Sequence, residues 1–365
     1  MELDNIHINF APIDGYNKDF NYIASPREDG KTTTFVAKKA WPAFKKWGLR
    51  TIVVNRNICD ITQDYVQTFA DIIREFCGEE PKFKMPSNVD MQKGIATMTL
   101  DDKPVFTFIG LSKTIQSLKK IKYYYTAFIM FDEFFVNPKY GEKYLPMEAN
   151  KFMDLYNTIY RDNKGDEVRP RVKCYFLGNP ISLYNPHLGY WHVDTMKLGI
   201  KGEPNESVFQ SGEKWVVWRK TLSKELYEQI KKKNPGYSME GNAGYTDYAL
   251  NGKNVNDANI RVEPKTPNDY RLRYIFQFEE TTIGCFQNND YTNRDDVFYC
   301  KEVKSVSKHR DVFCFDFFEL SMGGILMSAT ERMRLANLRG AMRLRAVEFS
   351  NIEIAYKMQE IYNYL

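Results

Sequence analysis

Three short runs in this chain, Arg50–Asn55 (RTIVVN), Thr126–Phe131 (TAFIMF) and Val172–Leu177 (VKCYFL), are apolar without alternation. A strand with one wet face alternates apolar and polar side chains, so a strand apolar on both faces must be covered on both. The segments around them have helical spacing. Over Ile61–Cys77, residues Tyr65, Phe69, Ile72, Ile73 and Phe76 fall on one face, and Asn150–Tyr160 is also helical. Such alternation predicts an α/β fold, a mostly parallel sheet with helices on both faces and ligands at the carboxyl ends of its strands. Phe20–Ala24 reads as a further strand, followed by a helix from about Thr32 to Trp47 that Trp41-Pro42 kinks or splits. Ile95–Leu100 and Val105–Gly110 flank the turn Asp101-Asp102-Lys103-Pro104, which predicts a hairpin.

From about Pro204 the texture changes to stretches rich in Gly, Asn and Lys, such as NPGYSMEGNAGY. We therefore expect a first domain over residues 1–205, a linker region over 206–268, and a smaller C-terminal α+β domain over 269–365. The last contains strands at 271–278, 282–287, 297–300 and 312–318, then a helix or helix pair from Thr330 to Tyr364. No apolar run approaches the length of about 18 residues that a membrane span needs. The acidic N-terminus lacks a signal-peptide layout, and the six cysteines show no C-x-x-C spacing, so reduced thiols in the cytoplasm where the chain is made are expected. A net charge of +4 is at most a mild pointer to a polyanionic partner.

Residues 25–33, SPREDGKTT, stand between a strand and a helix. Gly30-Lys31-Thr32 matches the second half of the phosphate-loop pattern G-x-x-x-x-G-K-[ST], while Ser25 stands where the first glycine would be. Each matching residue has a chemical task. Gly30 lets backbone approach a β-phosphate, Lys31 brings charge to the β and γ oxygens, and Thr32 offers a hydroxyl to Mg²⁺. Ser25, Gly30, Lys31, Thr32 and Thr33 are accordingly candidate ATP contacts. Alone, Gly-Lys-Thr also suits an ordinary surface turn, and Glu28 and Asp29 are awkward beside phosphates. The strand ending Phe131-Asp132-Glu133 supplies the complement, with Asp132 to hold Mg²⁺ and Glu133 to orient or deprotonate the attacking water. The two motifs in this order, about 100 residues apart, are far more specific than either one. A third strand runs into Gly178-Asn179 and puts an amide where a γ-phosphate sensor would sit, although Gly-Asn-Pro also makes a simple turn. Arg161 is a candidate arginine finger, with Arg169 and Arg171 as competitors.

The stretch from Thr126 to Leu188 resembles the DNA-packaging ATPases of phi29-type tailed phages, a terminase-like ASCE branch of the P-loop motors. It carries Phe131–Phe134 (FDEF), Tyr144–Pro146, Tyr160-Arg161 and Leu177–Asn179 in the same order and spacing. The similarity is clearest over about residues 20–190 and continues more weakly beyond. It implies a homo-oligomeric ring, a pentamer in the family's pattern, seated on the portal of a prohead and driving double-stranded DNA inward. By position it implies Arg27 and Lys31 as ATP contacts in the phosphate loop, Asp132 and Glu133 as the carboxylate pair, a trans-acting finger at Arg161 and an interface lysine at Lys119, the last only with a one-residue gap. It also implies an RNase H-like C-terminal domain without nuclease activity and, in some relatives, a structural packaging RNA. The chain departs from the pattern at Ser25, Glu28 and Asp29.

A motor that grips duplex of any sequence uses Lys and Arg on phosphates, and Lys38, Lys39, Lys45, Lys46, Arg56, Lys119, Lys120 and Lys122 are candidates. The segment RMRLANLRGAMRLRA is basic and amphipathic, with Met333 and its leucines at core spacing. A helicase, or a terminase that cuts DNA, is the alternative within the same fold, and clustered carboxylates in the second domain would favour the terminase. Glu279, Glu280 and Asp316 are the acids to watch there.

Overall fold

The computed structural model describes residues 7–119, 121–136, 142–163, 171–180, 185–193, 195, 198, 207–222, 224–233, 261–264, 266, 268–278, 281–289, 297–304, 311–315, 324–344 and 346–365. The chain divides into two units, residues 1–183 with 190–255 and residues 184–189 with 256–365.

In chain order the first unit contains α1 (Ala11–Asp14), β1 (Phe20–Ala24), α2 (Lys31–Phe35), α3 (Trp41–Trp47), β2 (Arg50–Asn55), α4 (Gln63–Cys77), α5 (Asn88–Gln92) and β3 (Ile95–Leu100). It continues with β4 (Lys103–Gly110), α6 (Ile115–Leu118), β5 (Thr126–Asp132), α7 (Glu148–Asp162), β6 (Lys173–Gly178), β7 (Val208–Ser211) and β8 (Trp215–Arg219). Its strands form one sheet in the order β3-β4-β2-β5-β6-β1-β8-β7. The six from β4 to β8 are parallel, and antiparallel β3 and β7 close the two edges.

Every residue of β1 and β2 is buried, the polar Asn21, Arg50, Thr51 and Asn55 included. One face packs Phe35, Val53, Phe69, Phe106, Phe108 and Met130 beneath the helices. The other stacks Phe131 on Phe152 and Tyr22 on Phe176. Each such side chain contributes roughly 2–3 kcal/mol of transfer free energy. The hairpin turns at Asp101 and Asp102, both at positive φ, 51° and 59°, the geometry a two-residue turn requires.

The expected kink at Pro42 is absorbed by the helix itself. A π turn, Val36–Ala40, joins α2 to α3, with the Trp41 N–H reaching back to Val36 O. Widening the turn ahead of proline makes room for its ring and for its missing donor. The helix then ends at Gly48 in the left-handed region, φ 66°.

The expected linker is corrected at its start. Residues 208–219 supply β7 and β8, and β8 lies directly against β1 with Phe20 opposite Trp215 and Ala24 opposite Arg219. The apolar run WVVWR marks β8, but the surrounding Lys, Gly and Asn obscure it.

The second unit is a mixed sheet in the order β14-β13-β10-β11-β12-β15-β9. Its strands are β9 (Arg261–Val262), β10 (Tyr270–Phe278), β11 (Thr281–Asn288), β12 (Phe298–Glu302), β13 (Val312–Cys314), β14 (Ile325–Leu326) and β15 (Val347–Phe349). Phe276, Cys285, Phe298, Leu335, Leu338 and Met358 form its core with the helices Ala336–Leu344 and Ile352–Tyr364. Strand β15 interrupts the expected terminal helix pair. Met333, expected in the core, is 78% exposed, while Leu335 and Leu338 are fully buried. Glu279, Glu280 and Asp316 lie outside the described residues, as do Lys120 and Arg169.

Candidate nucleotide site

Parallel pairing brings the ends of β1, β6, β5 and β2 to one edge of the sheet: Ala24 lies opposite Gly178, Leu177 opposite Asp132, and Val54 opposite Phe131. The phosphate-loop motif leaves β1 at this edge. Ser25 N–H donates to Gly178 O at 3.1 Å, and the loop turns into α2 through Gly30. Gly30 is required twice: its φ is +59°, and a Cβ there would lie 2.3 Å from the His7 ring.

Lys31 curls back over the loop. Its Nζ donates to Ser25 O at 3.1 Å, Pro26 O at 2.8 Å and Asn179 Oδ1 at 2.9 Å. Burial is the main influence on its ammonium and lowers the pKa to about 8, against the opposing pull of Asp29 and Asp132. Lys31 and Asn179 thus converge from two strand ends. Ser25 contributes its carbonyl; its Oγ is buried and has no hydrogen-bond partner among the described residues. Thr33 is half-buried in the first turn of α2, and Arg27 is half-buried in the loop.

Thr32 Oγ1 meets Asp132 Oδ1 at 3.1 Å and Oδ2 at 3.3 Å. A third group joins them from a residue whose spacing marks it only as core: Tyr65 OH on α4 donates to Asp132 Oδ2 at 3.2 Å. Desolvation pushes the Asp132 carboxyl above the usual range, while the Thr32 and Tyr65 hydrogen bonds hold it down. A hydroxyl and a carboxylate oxygen this close form a hard-oxygen pair suited to Mg²⁺. With Lys31 and the backbone donors of the glycine turn, they fit a magnesium-bound triphosphate.

Glu133 follows Asp132 at φ 51°, a left-handed conformation uncommon for a non-glycine residue and one that recurs at functional sites. Its side chain opens to solvent at the rim of the site. Desolvation, then the charges of Asp132 and Glu142, raise its pKa, and Arg27 and Lys31 oppose the rise. The Arg27 charge therefore acts on the same carboxylate.

Arg56 holds the backbone of this turn. Its charge alone made it a candidate for DNA, but it is buried, and its guanidinium donates to Glu133 O at 3.2 Å and Phe134 O at 3.0 Å. It also grips Glu148 in a two-point ion pair, Nε to Oε2 at 2.7 Å and Nη2 to Oε1 at 3.1 Å. The Glu148 side chain is fully buried at the start of α7. Two more of the DNA candidates are engaged elsewhere, Lys39 with Asp14 and Lys45 with Glu79.

Arg161 is not brought to this site. It is exposed in the last turn of α7, whose first residue adjoins Arg56. At 1.5 Å per residue the helix carries Arg161 about 20 Å away. The far end is fixed at the opposite edge of the sheet, where Asn163 Nδ2 donates to Thr126 O at 2.7 Å and Tyr123 N to Asp162 Oδ2 at 3.3 Å. Lys119 shares that edge, since Tyr123 OH also donates to Leu118 O at 2.9 Å. Arg171 is engaged with Asp19.

A family model described as podovirus DNA encapsidation protein (Gp16) matches residues 4–364. DNA packaging proteins of Bacillus phages PZA and phi29 are each 28% identical over 180 residues, 49% of this chain and 48% of theirs. The chain thus spans about half the length of the curated relatives it matches. The phi-28 gp11 DNA packaging motor superposes with a TM-score of 0.68 at 13% identity, over 99% of this chain and 98% of that one. The bacteriophage phi-29 viral genome packaging motor assembly gives 0.58 at 17% identity, over 99% of each chain. At such identities these two likenesses establish the shared fold.

Proposed function

Because the chain belongs to the podovirus DNA encapsidation protein (Gp16) family, we propose that it is a packaging ATPase that drives double-stranded DNA through a portal into a prohead. The observation that carries this reading is the convergence of Lys31, Thr32, Asp132 and Asn179 from three strand ends. Bound Mg²⁺ would neutralise charge on the β and γ phosphates, held by Thr32 and Asp132. Lys31 exchanges its present carbonyl and amide partners for phosphate oxygens. Glu133 accepts a proton from the attacking water, a task its raised pKa suits. Asn179 reports whether the γ position is filled.

Arg161 stands at the opposite sheet edge from its own site, which supports a role toward a neighbouring copy, with Lys119 beside it. A closed ring, as in a homopentamer, gives each site such a neighbour. We place the active ring on the prohead, in the host cytoplasm, and read the second unit as an RNase H-like domain without nuclease activity. A packaging RNA is a further candidate partner of that assembly.

The test is ATP turnover with and without duplex DNA, on protein whose mass in solution is known. DNA-stimulated turnover that is lost in Lys31→Ala is expected. Turnover that survives Lys31→Ala would overturn the catalytic assignment, and a wild-type chain indifferent to duplex DNA would overturn the motor.

A further inference from the structure

The two acids that stand awkwardly in the phosphate loop are disposed differently. Glu28 is exposed, at φ 64°, whereas Asp29 is fully buried. Asp29 Oδ1 is ion-paired with Lys220 Nζ, and Lys220 N–H donates to Ala24 O at 2.9 Å. Lys220 thus directly follows β8 and stands beside the residue at which β1 gives way to the loop. The backbone carbonyl of Asp29 is also used, accepting Ile8 N–H at 2.9 Å. Asp29 Oδ2 has no hydrogen-bond partner among the described residues, although it is shut away from solvent. A buried carboxylate so placed is tolerable only with a cation against it.

Lys31 senses both members of this pair: Asp29 favours its charged form and Lys220 disfavours it. The same must hold for any anion that Lys31 binds. We propose that Lys220 is a nucleotide-affinity residue of this chain, whose charge cancels that of Asp29 so that the loop can accept phosphates. The pair does by charge balance what a loop without acids does by omission, and it makes β8 part of the nucleotide site. This inference rests on the nucleotide-binding reading proposed for Lys31, Thr32 and Asp132.

Opposite signs for the two halves of the pair separate this role from simple support of the fold. In Lys220→Met the uncompensated Asp29 competes with phosphate for Lys31, so Mg·ADP should bind about tenfold more weakly, the size of effect expected for breaking a buried charge pair on one side. Asp29→Asn is nearly isosteric and leaves Lys220 as a surplus cation, so Mg·ADP should bind as tightly as to wild type or more so. The double variant, Asp29→Asn with Lys220→Met, should return to within about threefold of wild type. Titration calorimetry with Mg·ADP on the full chain reads all three, with thermal melts alongside. Weaker binding in Asp29→Asn would overturn the proposal even if Lys220→Met failed to fold, and so would additive losses in the double variant. A folded wild-type chain that binds no Mg·ADP would instead overturn the nucleotide-site reading itself.

Discussion

Thr32 and Asp132, one hundred positions apart in the chain, meet through a hydrogen bond of 3.1 Å between Oγ1 and Oδ1. The contact joins the first turn of α2 to the tip of β5. Because burial raises the Asp132 pKa, its charge is a cost to the folded state that a bound cation would offset. Asp132→Asn removes that charge at nearly constant shape. Turnover should fall by at least about a hundredfold, as for loss of a group that holds a catalytic metal. The melting temperature in metal-free buffer should be equal to or higher than that of wild type. A marked drop in melting temperature would show that the carboxylate supports the fold instead.

Tyr65 should act through Asp132 and not on substrate. Tyr65→Phe keeps the ring packed against Phe69 and Phe108 and removes the hydroxyl, with its 3.2 Å bond to Oδ2 and its hydrogen bond with Asn55. We expect the magnesium concentration for half-maximal turnover to rise by about three- to tenfold, the scale of one hydrogen bond to a charged group. Little change is expected in turnover at saturating magnesium. A titration of turnover against magnesium decides, and an unchanged midpoint would exclude the role.

Much of this site is legible in the linear order of residues. Gly30-Lys31-Thr32, Asp132-Glu133 and Asn179 each sit at the end of an apolar strand, and parallel pairing has to gather such ends along one edge. What the linear order does not carry is the set of partners whose roles depend on pairing across the chain. Tyr65 has the spacing of a core residue and is one, except at its hydroxyl. Arg56 reads as a surface charge until Glu148, ninety-two positions later, is found against it. Lys220 is hidden for another reason: a short strand inside a basic, Asn-rich stretch lacks the apolar length that marks β2 and β5. The π turn is equally hard to read, because it preserves the helical pattern while changing its count by one residue.

Arg56 and Glu148 are expected to separate stability from activity. Arg56→Met alone strands a fully buried carboxylate and should destabilise the fold by about 3–5 kcal/mol. Arg56→Met with Glu148→Met removes both charges and should recover most of that loss. The double variant still lacks the donors to Glu133 O and Phe134 O, so its turnover should remain low. Denaturant unfolding beside a turnover assay makes the comparison, and full activity in the stable double variant would contradict it.

The pH response of nucleotide binding should report on Lys31. Its pKa is lowered to about 8 in the folded chain, from an ordinary value of 10.5. The unfolded chain therefore binds more protons than the folded one between those limits, and Lys31 makes stability rise with pH there. Binding runs the other way, since phosphates need the ammonium form. Affinity for ADP without magnesium should be level below about pH 8 and should fall above it, approaching about tenfold per pH unit if Lys31 dominates. Fluorescence titrations across that range would show the break. A flat profile would mean that Lys31 stays charged throughout.

Arg161 gives the sharpest test of assembly. It lies about 20 Å along α7 from the Glu133 turn, so it cannot complete the site of its own chain without unwinding that helix. Arg161→Ala should therefore lose turnover by about a thousandfold or more, as for loss of an arginine finger, while its nucleotide affinity stays near that of wild type. Glu133→Gln should be equally inactive, for a reason that lies in the other half of the interface. Mixed with Arg161→Ala, it supplies intact fingers to sites whose Glu133 is intact, and turnover should reappear. The signal should peak near equal proportions and vanish when either variant is in large excess. Turnover that stays absent at every ratio, in protein shown to form mixed rings, would rule out a finger acting between copies.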